Sequence, residues 1–165
     1  MCNCNPEKVE YPQSYEWGPP IWRIMHATSL KAGNVALPSM REDEMRAWVS
    51  LIPALGYMLP CPDCREHFTT WIAAHPIKPL LSVPYSEKGE WIRRWLYDLH
   101  SDVNRRLGKT NMAYEDLATT YRSVNVPETL KILDSMMLRA MKLGGASLLK
   151  YKEWLKQIGM LRGVY

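Results

Sequence analysis

Leu59-Pro60-Cys61-Pro62-Asp63-Cys64-Arg65-Glu66-His67-Phe68 is the stretch on which the reading of this chain turns. It holds two of only four cysteines, and the other two, Cys2 and Cys4, stand one residue apart near the N-terminus. Two sulfurs three residues apart can form a small, readily exchanged disulfide or half of a metal site. Leu59-Pro60 stops whatever precedes the pair. Pro62 suits the first turn of a new helix, where its missing N–H costs nothing. The helix so begun runs on until Pro76 ends it, with Cys61 at or near the N-cap and Cys64 one turn in, on the same face. Unpaired N–H groups and the positive end of the helix dipole favour a thiolate at that place, which points to redox chemistry. The alternative is a helical zinc-binding interaction module with Cys2, Cys4, Cys61 and Cys64 as ligands, although a Cys-x-Cys arm is poorly spaced for a tetrahedral site. A non-catalytic thiol switch between the two pairs is a third reading.

Outward from this stretch the pattern is helical almost throughout. Pro19-Pro20 opens a first helix reaching about Lys31, closed by Gly33, with Trp22 and His26 four apart on one face. Ser39 followed by Glu42 gives a capping-box start to a second helix, which runs to about Tyr57 with a kink at Pro53. A fourth helix spans about Ser86 to Gly108, with Ile92, Trp95, Leu96, Leu99, Val103 and Leu107 as its apolar stripe. That helix also carries His100 and Asn104 on one face. Beyond it, Pro127-Glu128 starts a helix that ends before Gly144-Gly145, and another runs from Ser147 to about Ile158. Alternating strand patterns are essentially absent, which argues against a thioredoxin-like domain. The expected fold is all-α, a four-helix bundle with an additional C-terminal helical segment.

At 165 residues the chain is most simply one domain with room for a real core. A net charge of +4 is mild, and Arg93-Arg94 and Arg105-Arg106 recur at helical spacing as solvated faces, so a nucleic-acid partner is not expected. No apolar run approaches the ~20 residues of a membrane span. No basic-then-apolar leader is visible, so no secretory signal is expected. Seven tryptophans against one phenylalanine offer flat surfaces for a planar partner.

Three groups of residues recur together in a known pattern. They are Gly18, Trp22 and His26; Leu59, Pro60, Cys61, Cys64 and Phe68; and Trp95, Leu96, His100, Val103, Asn104, Leu107 and Lys109. In order and spacing they resemble the Erv/ALR family of FAD-dependent sulfhydryl oxidases. The resemblance implies a bundle that binds FAD, and disulfide formation in protein dithiol substrates. Electrons would pass through Cys61–Cys64 to FAD and on to molecular oxygen, giving hydrogen peroxide. It makes Cys61 the outward sulfur and Cys64 the one beside the flavin. The FAD pocket would draw on Gly18, Trp22, His26, Trp95, His100, Val103, Asn104, Leu107 and Lys109, with no metal. Ser101 departs from the family pattern, which has asparagine there.

The resemblance further implies that Cys2 and Cys4 form a shuttle disulfide on a flexible arm over residues 1–16. The oxidase core would cover 17–110 and a helical extension 111–165. A homodimer packed through the first two helices is also implied. Cellular members commonly carry a structural disulfide where Tyr97 and Tyr114 stand here, so that end must be braced by packing. Low cysteine usage looks like the versions encoded by large DNA viruses, including iridoviruses. That points to the cytoplasm of an infected host cell and to the virion.

Overall fold

The structure, a computed structural model, describes residues 10–165, so Cys2 and Cys4 lie outside the described residues. Seven α-helices and two short 3₁₀ turns make up the described chain, and no strand occurs among the described residues. The helices are α1 (Ser14–Ser29), α2 (Pro38–Met58), α3 (Pro62–Ala74), α4 (Tyr85–Arg106), α5 (Leu117–Tyr121), α6 (Val126–Lys142) and α7 (Leu148–Val164). The all-α expectation holds.

Two helix starts differ from expectation. α1 begins at Ser14, upstream of Pro19-Pro20 and within the segment assigned to the arm. The Gln13 N–H donates to Glu16 Oε2 at 2.6 Å, closing the first turn before the prolines are reached. The prolines therefore sit inside the helix, where they lack the N–H groups that would have bonded the carbonyls of Tyr15 and Glu16. α2 begins at Pro38 with Leu37 in the cap position, so Ser39 is already helical and does not cap. Proline preset to helical φ at the first position starts this helix without a side-chain cap. Glu42 instead pairs with Arg46, one turn on. α2 then continues through Pro53 as one uninterrupted helix.

The C-terminal helices form part of the core. α7 lies along α2 and α6 along α1. α6 turns Leu133, Met137 and Ala140 inward, and α7 turns Tyr151, Trp154, Ile158 and Leu161 inward, each set at helical spacing. All of these but Ala140 join Trp48, Leu51, Leu55, Ile24 and Met25 in one apolar cluster. α6 is capped by Asn125, which accepts from the Glu128 N–H at 3.1 Å. α7 is capped by Ser147 and extends six residues past the expected Ile158. Parts of α1 and α2 that the resemblance assigned to a second copy are thus covered by the chain's own α6 and α7.

Where a structural disulfide was expected to be missing, aromatic packing stands in its place. The rings of Tyr97 and Tyr114 meet edge to face at 5.2 Å. The Tyr97 hydroxyl donates to the Met112 carbonyl at 2.7 Å. The Arg94 guanidinium lies 3.6 Å over the Tyr114 ring.

Candidate functional site

Cys61 is the N-cap of α3, in extended backbone conformation, and Pro62 fills the first helical position. The Cys64 N–H, one of the helix's otherwise unpaired donors, points at Cys61 Sγ at 3.2 Å. With the Cα atoms 5.1 Å apart, Cys61 and Cys64 are joined in a disulfide. Both are half-buried. A disulfide leaves these sulfurs no thiolate to offer a metal. No cluster of three or more metal-ligating side chains occurs among the described residues either, so the zinc alternative has no support.

α3 is held in place by a close approach. A Cβ on Gly56 of α2 would lie 2.5 Å from the Phe68 ring, so only glycine lets that ring settle where it does. Phe68 follows Cys64 by one turn and is buried. The Tyr11 hydroxyl donates to the Pro60 carbonyl at 2.5 Å, which brings the chain ahead of α1 beside the cysteine motif.

The disulfide opens onto a cavity of about 580 Å³. Of the residues picked out from sequence, Gly18 and Trp22 of α1 line it, as do Cys61 and Cys64. From α4 come His100, Val103 and Asn104, and Leu107 and Lys109 follow just beyond the helix. Lys109 is placed by a helix-ending turn in which its N–H bonds the Asn104 carbonyl at 2.8 Å and the Gly108 N–H bonds that of Arg105 at 3.2 Å. Gly108 makes that turn at φ 68°, a region costly for any residue with a Cβ.

His26 lies behind the cavity wall, fully buried. Its Nε2 and His100 Nδ1 are 2.9 Å apart. Trp22 stacks on His100 with ring centres 4.1 Å apart, and Tyr121 of α5 stacks on His26 at 4.6 Å. Burial, reinforced by His100, pushes the His26 pKa down to about 3. Burial, reinforced by Lys109, pushes that of His100 down to about 4. Both rings are neutral at ordinary pH. His26 Nδ1 is buried with no partner.

Trp95 is not brought to the cavity. It packs edge-on against Trp71 at 5.0 Å and donates its Nε1–H to the His75 carbonyl at 2.9 Å, bracing α4 to the end of α3. Sequence reasoning missed Tyr121, Arg106 and His67, all of which line the cavity. Tyr121 lies past residue 110, where the core was expected to end, and no local signal ties it to His26. His67 was within reach, since it follows Cys64 by one helical turn.

The Erv1 / Alr family model matches residues 19–122. The mitochondrial FAD-linked sulfhydryl oxidase erv1 of Schizosaccharomyces pombe is 27% identical over 113 residues, covering 66% of this chain and 57% of that protein. An African swine fever virus FAD-linked sulfhydryl oxidase is 27% identical over 108 residues, covering 64% of this chain and 79% of the viral one. The rice FAD-linked sulfhydryl oxidase ERV1 is 24% identical over 113 residues, with 68% and 53% covered. The matched segment thus spans little more than half the length of the fungal and plant relatives and most of the viral one. No solved structure matches at a significant level. The family match takes in more than half of the sequence and the cavity-lining residues from Pro19 to Tyr121: the chain belongs to the Erv1 / Alr family.

Proposed function

We propose that this chain is a FAD-linked sulfhydryl oxidase that forms disulfides in protein substrates. The observation that carries the reading is a single one: the Cys61–Cys64 disulfide opens directly onto an aromatic, basic cavity. The fungal and viral relatives named for this activity support it.

The cavity suits FAD on several counts. Trp22 and His100 are stacked into one planar wall with Tyr121 close by, a surface for flat rings. Arg23, Arg106 and Lys109 line the same cavity and supply positive charge for a pyrophosphate. The unpartnered His26 Nδ1 behind that wall leaves a polar atom open to a bonding group. Bound there, FAD supplies the two-electron acceptor that couples thiol oxidation to oxygen, with hydrogen peroxide as product. The pocket residues we assign are Gly18, Trp22, His26, His100, Val103, Asn104, Leu107 and Lys109. Trp95 supports the pocket from outside it, through its packing on Trp71 and its hydrogen bond to the His75 carbonyl.

The protein's own part is thiol chemistry. A substrate thiolate attacks Cys61, the cap residue, and Cys64 departs as a thiolate favoured by the start of α3. Cys2 and Cys4 are proposed as a shuttle pair that relays electrons from bulky substrates. Tyr11, seven residues after Cys4 in sequence, donates its hydroxyl to the Pro60 carbonyl beside the motif. The expected homodimer is retained as a proposal, through surface that α6 and α7 leave free. The cytoplasm of an infected host cell and the virion are the proposed locations. No described helix is long and apolar enough to cross a membrane.

Oxygen consumption by three proteins tests the scheme. Cys64→Ser should abolish turnover of dithiothreitol and protein dithiols alike. Replacing both Cys2 and Cys4 with serine should impair only the protein substrate. Equal loss on both substrates, or none, in the double variant contradicts the shuttle. Full turnover by Cys64→Ser contradicts the oxidase scheme.

A further inference from the structure

The chain has four histidines, and three are poor candidates for moving a proton at the disulfide. His26 and His100 face each other across one shared hydrogen bond and are held neutral by burial. His75 stacks on Trp71 at 4.1 Å, with its Nδ1 against the Trp71 carbonyl at 3.0 Å, and does not line the cavity. His67 differs on every count. It lies three residues after Cys64, on the same side of α3, and lines the cavity with both cysteines. Its Nε2 meets Asp102 Oδ2 of α4 at 2.9 Å. Asp102 is itself oriented by Arg105, whose Nη1 donates to Oδ1 at 2.9 Å.

A carboxylate on one imidazole nitrogen fixes the ring's orientation. It also leaves Nδ1 as the nitrogen available to another group. The other charged side chains lining the cavity are Arg23, Asp63, Arg106 and Lys109, Arg106 donating to the Asp63 carbonyl at 3.4 Å.

We propose that His67, held by Asp102, is the proton-holding partner of the Cys61–Cys64 redox centre. The inference rests on the thiol-oxidase reading above. A substrate thiol gives its proton to His67 and its sulfur attacks Cys61 Sγ. The Cys61–Cys64 bond breaks, a mixed disulfide forms on Cys61, and the electron pair leaves on Cys64. The second substrate thiol attacks the mixed disulfide, and its proton goes to the departing Cys61. The products are a substrate disulfide, a Cys61 thiol, a Cys64 thiolate and a His67 imidazolium. Two electrons and two protons are accounted for, and Asp102 serves as a positioning residue.

The test is the alkylation rate of Cys61 and Cys64 by iodoacetamide in the full-length, anaerobically reduced protein from pH 5 to 9, read by peptide mass spectrometry. His67→Asn should move the onset of Cys64 reactivity upward by about one pH unit, roughly a tenfold loss of rate near neutrality. Asp102→Asn should fall between that variant and the parent. Profiles that superimpose on the parent's overturn the proposal. In the unaltered protein, the NMR titration of the His67 ring should shift to higher pH when the disulfide is reduced; no shift also overturns it. Neither readout requires turnover. Failure of the oxidase reading would show separately, as a protein without a thiol-bleachable flavin band.

Discussion

His26 and His100 share a single proton between facing nitrogens 2.9 Å apart, and charging both would set two N–H groups against each other. Their pKa values of about 3 and about 4 lie below the unfolded value of about 6.5, so the folded state resists protons that the unfolded chain accepts. Their contribution is complete above pH 6.5 and is lost as the pH falls toward 4. Each pH unit below 6.5 removes about 1.4 kcal/mol per ring. Urea unfolding should therefore give a stability about 2–3 kcal/mol lower at pH 5.5 than at pH 7.5. His26→Phe should flatten that difference by about half; an unchanged slope would contradict this account. The residue types of this cluster were legible in the sequence: Trp22 and His26, like His100 and Asn104, stand four apart. Their mutual stacking was not, because it depends on α1 and α4 meeting. Trp95 shows the converse. Its motif position pointed to the cavity, but its indole N–H found the His75 carbonyl, a partner that only the turn after α3 supplies.

α3 is the element that local signals describe best. Proline after Cys61, the N-cap and the one-turn cysteine spacing appear as the sequence implies. What no local signal reveals is how α3 is seated, and Gly56 does that by admitting the Phe68 ring. Gly56→Ala, though favourable for an isolated helix, should lower stability by ~1–3 kcal/mol through overpacking. That corresponds to a fall of several degrees in Tm by circular dichroism. A raised Tm would show that the contact does not set the seat of α3. α1 starts earlier than its prolines imply: Pro19-Pro20 reads as a start, whereas the Gln13–Glu16 bond upstream begins the helix. Capping geometry at the true start outweighs proline as a marker.

For the molecule as a whole, Glu44 ties distant parts together from full burial. It accepts from the Gly33 N–H at 2.8 Å, the Tyr85 hydroxyl at 2.6 Å and the Tyr165 hydroxyl at 2.9 Å. Trp48 Nε1 in turn donates to Tyr165 at 2.9 Å. Burial, with Glu44 beside it, pushes the Tyr85 pKa up to about 12 and raises that of Tyr165 further. Tyr165→Phe leaves the Trp48 N–H without its acceptor and Glu44 with one donor fewer. It should cost about 1–3 kcal/mol in urea unfolding; no loss would mean that this end of the chain is not anchored by the network. The helices α6 and α7 were foreseeable from their caps and apolar spacing. Their docking on α1 and α2 was not, since any apolar stripe can be covered by several partners and only the folded whole selects one. The measurement that tests the central claim most directly is the visible absorption spectrum of the purified protein before and after anaerobic dithiothreitol. The account predicts a flavin band near-stoichiometric with protein, bleached by the thiol and restored by air. A colourless protein that cannot be reconstituted with FAD would contradict it.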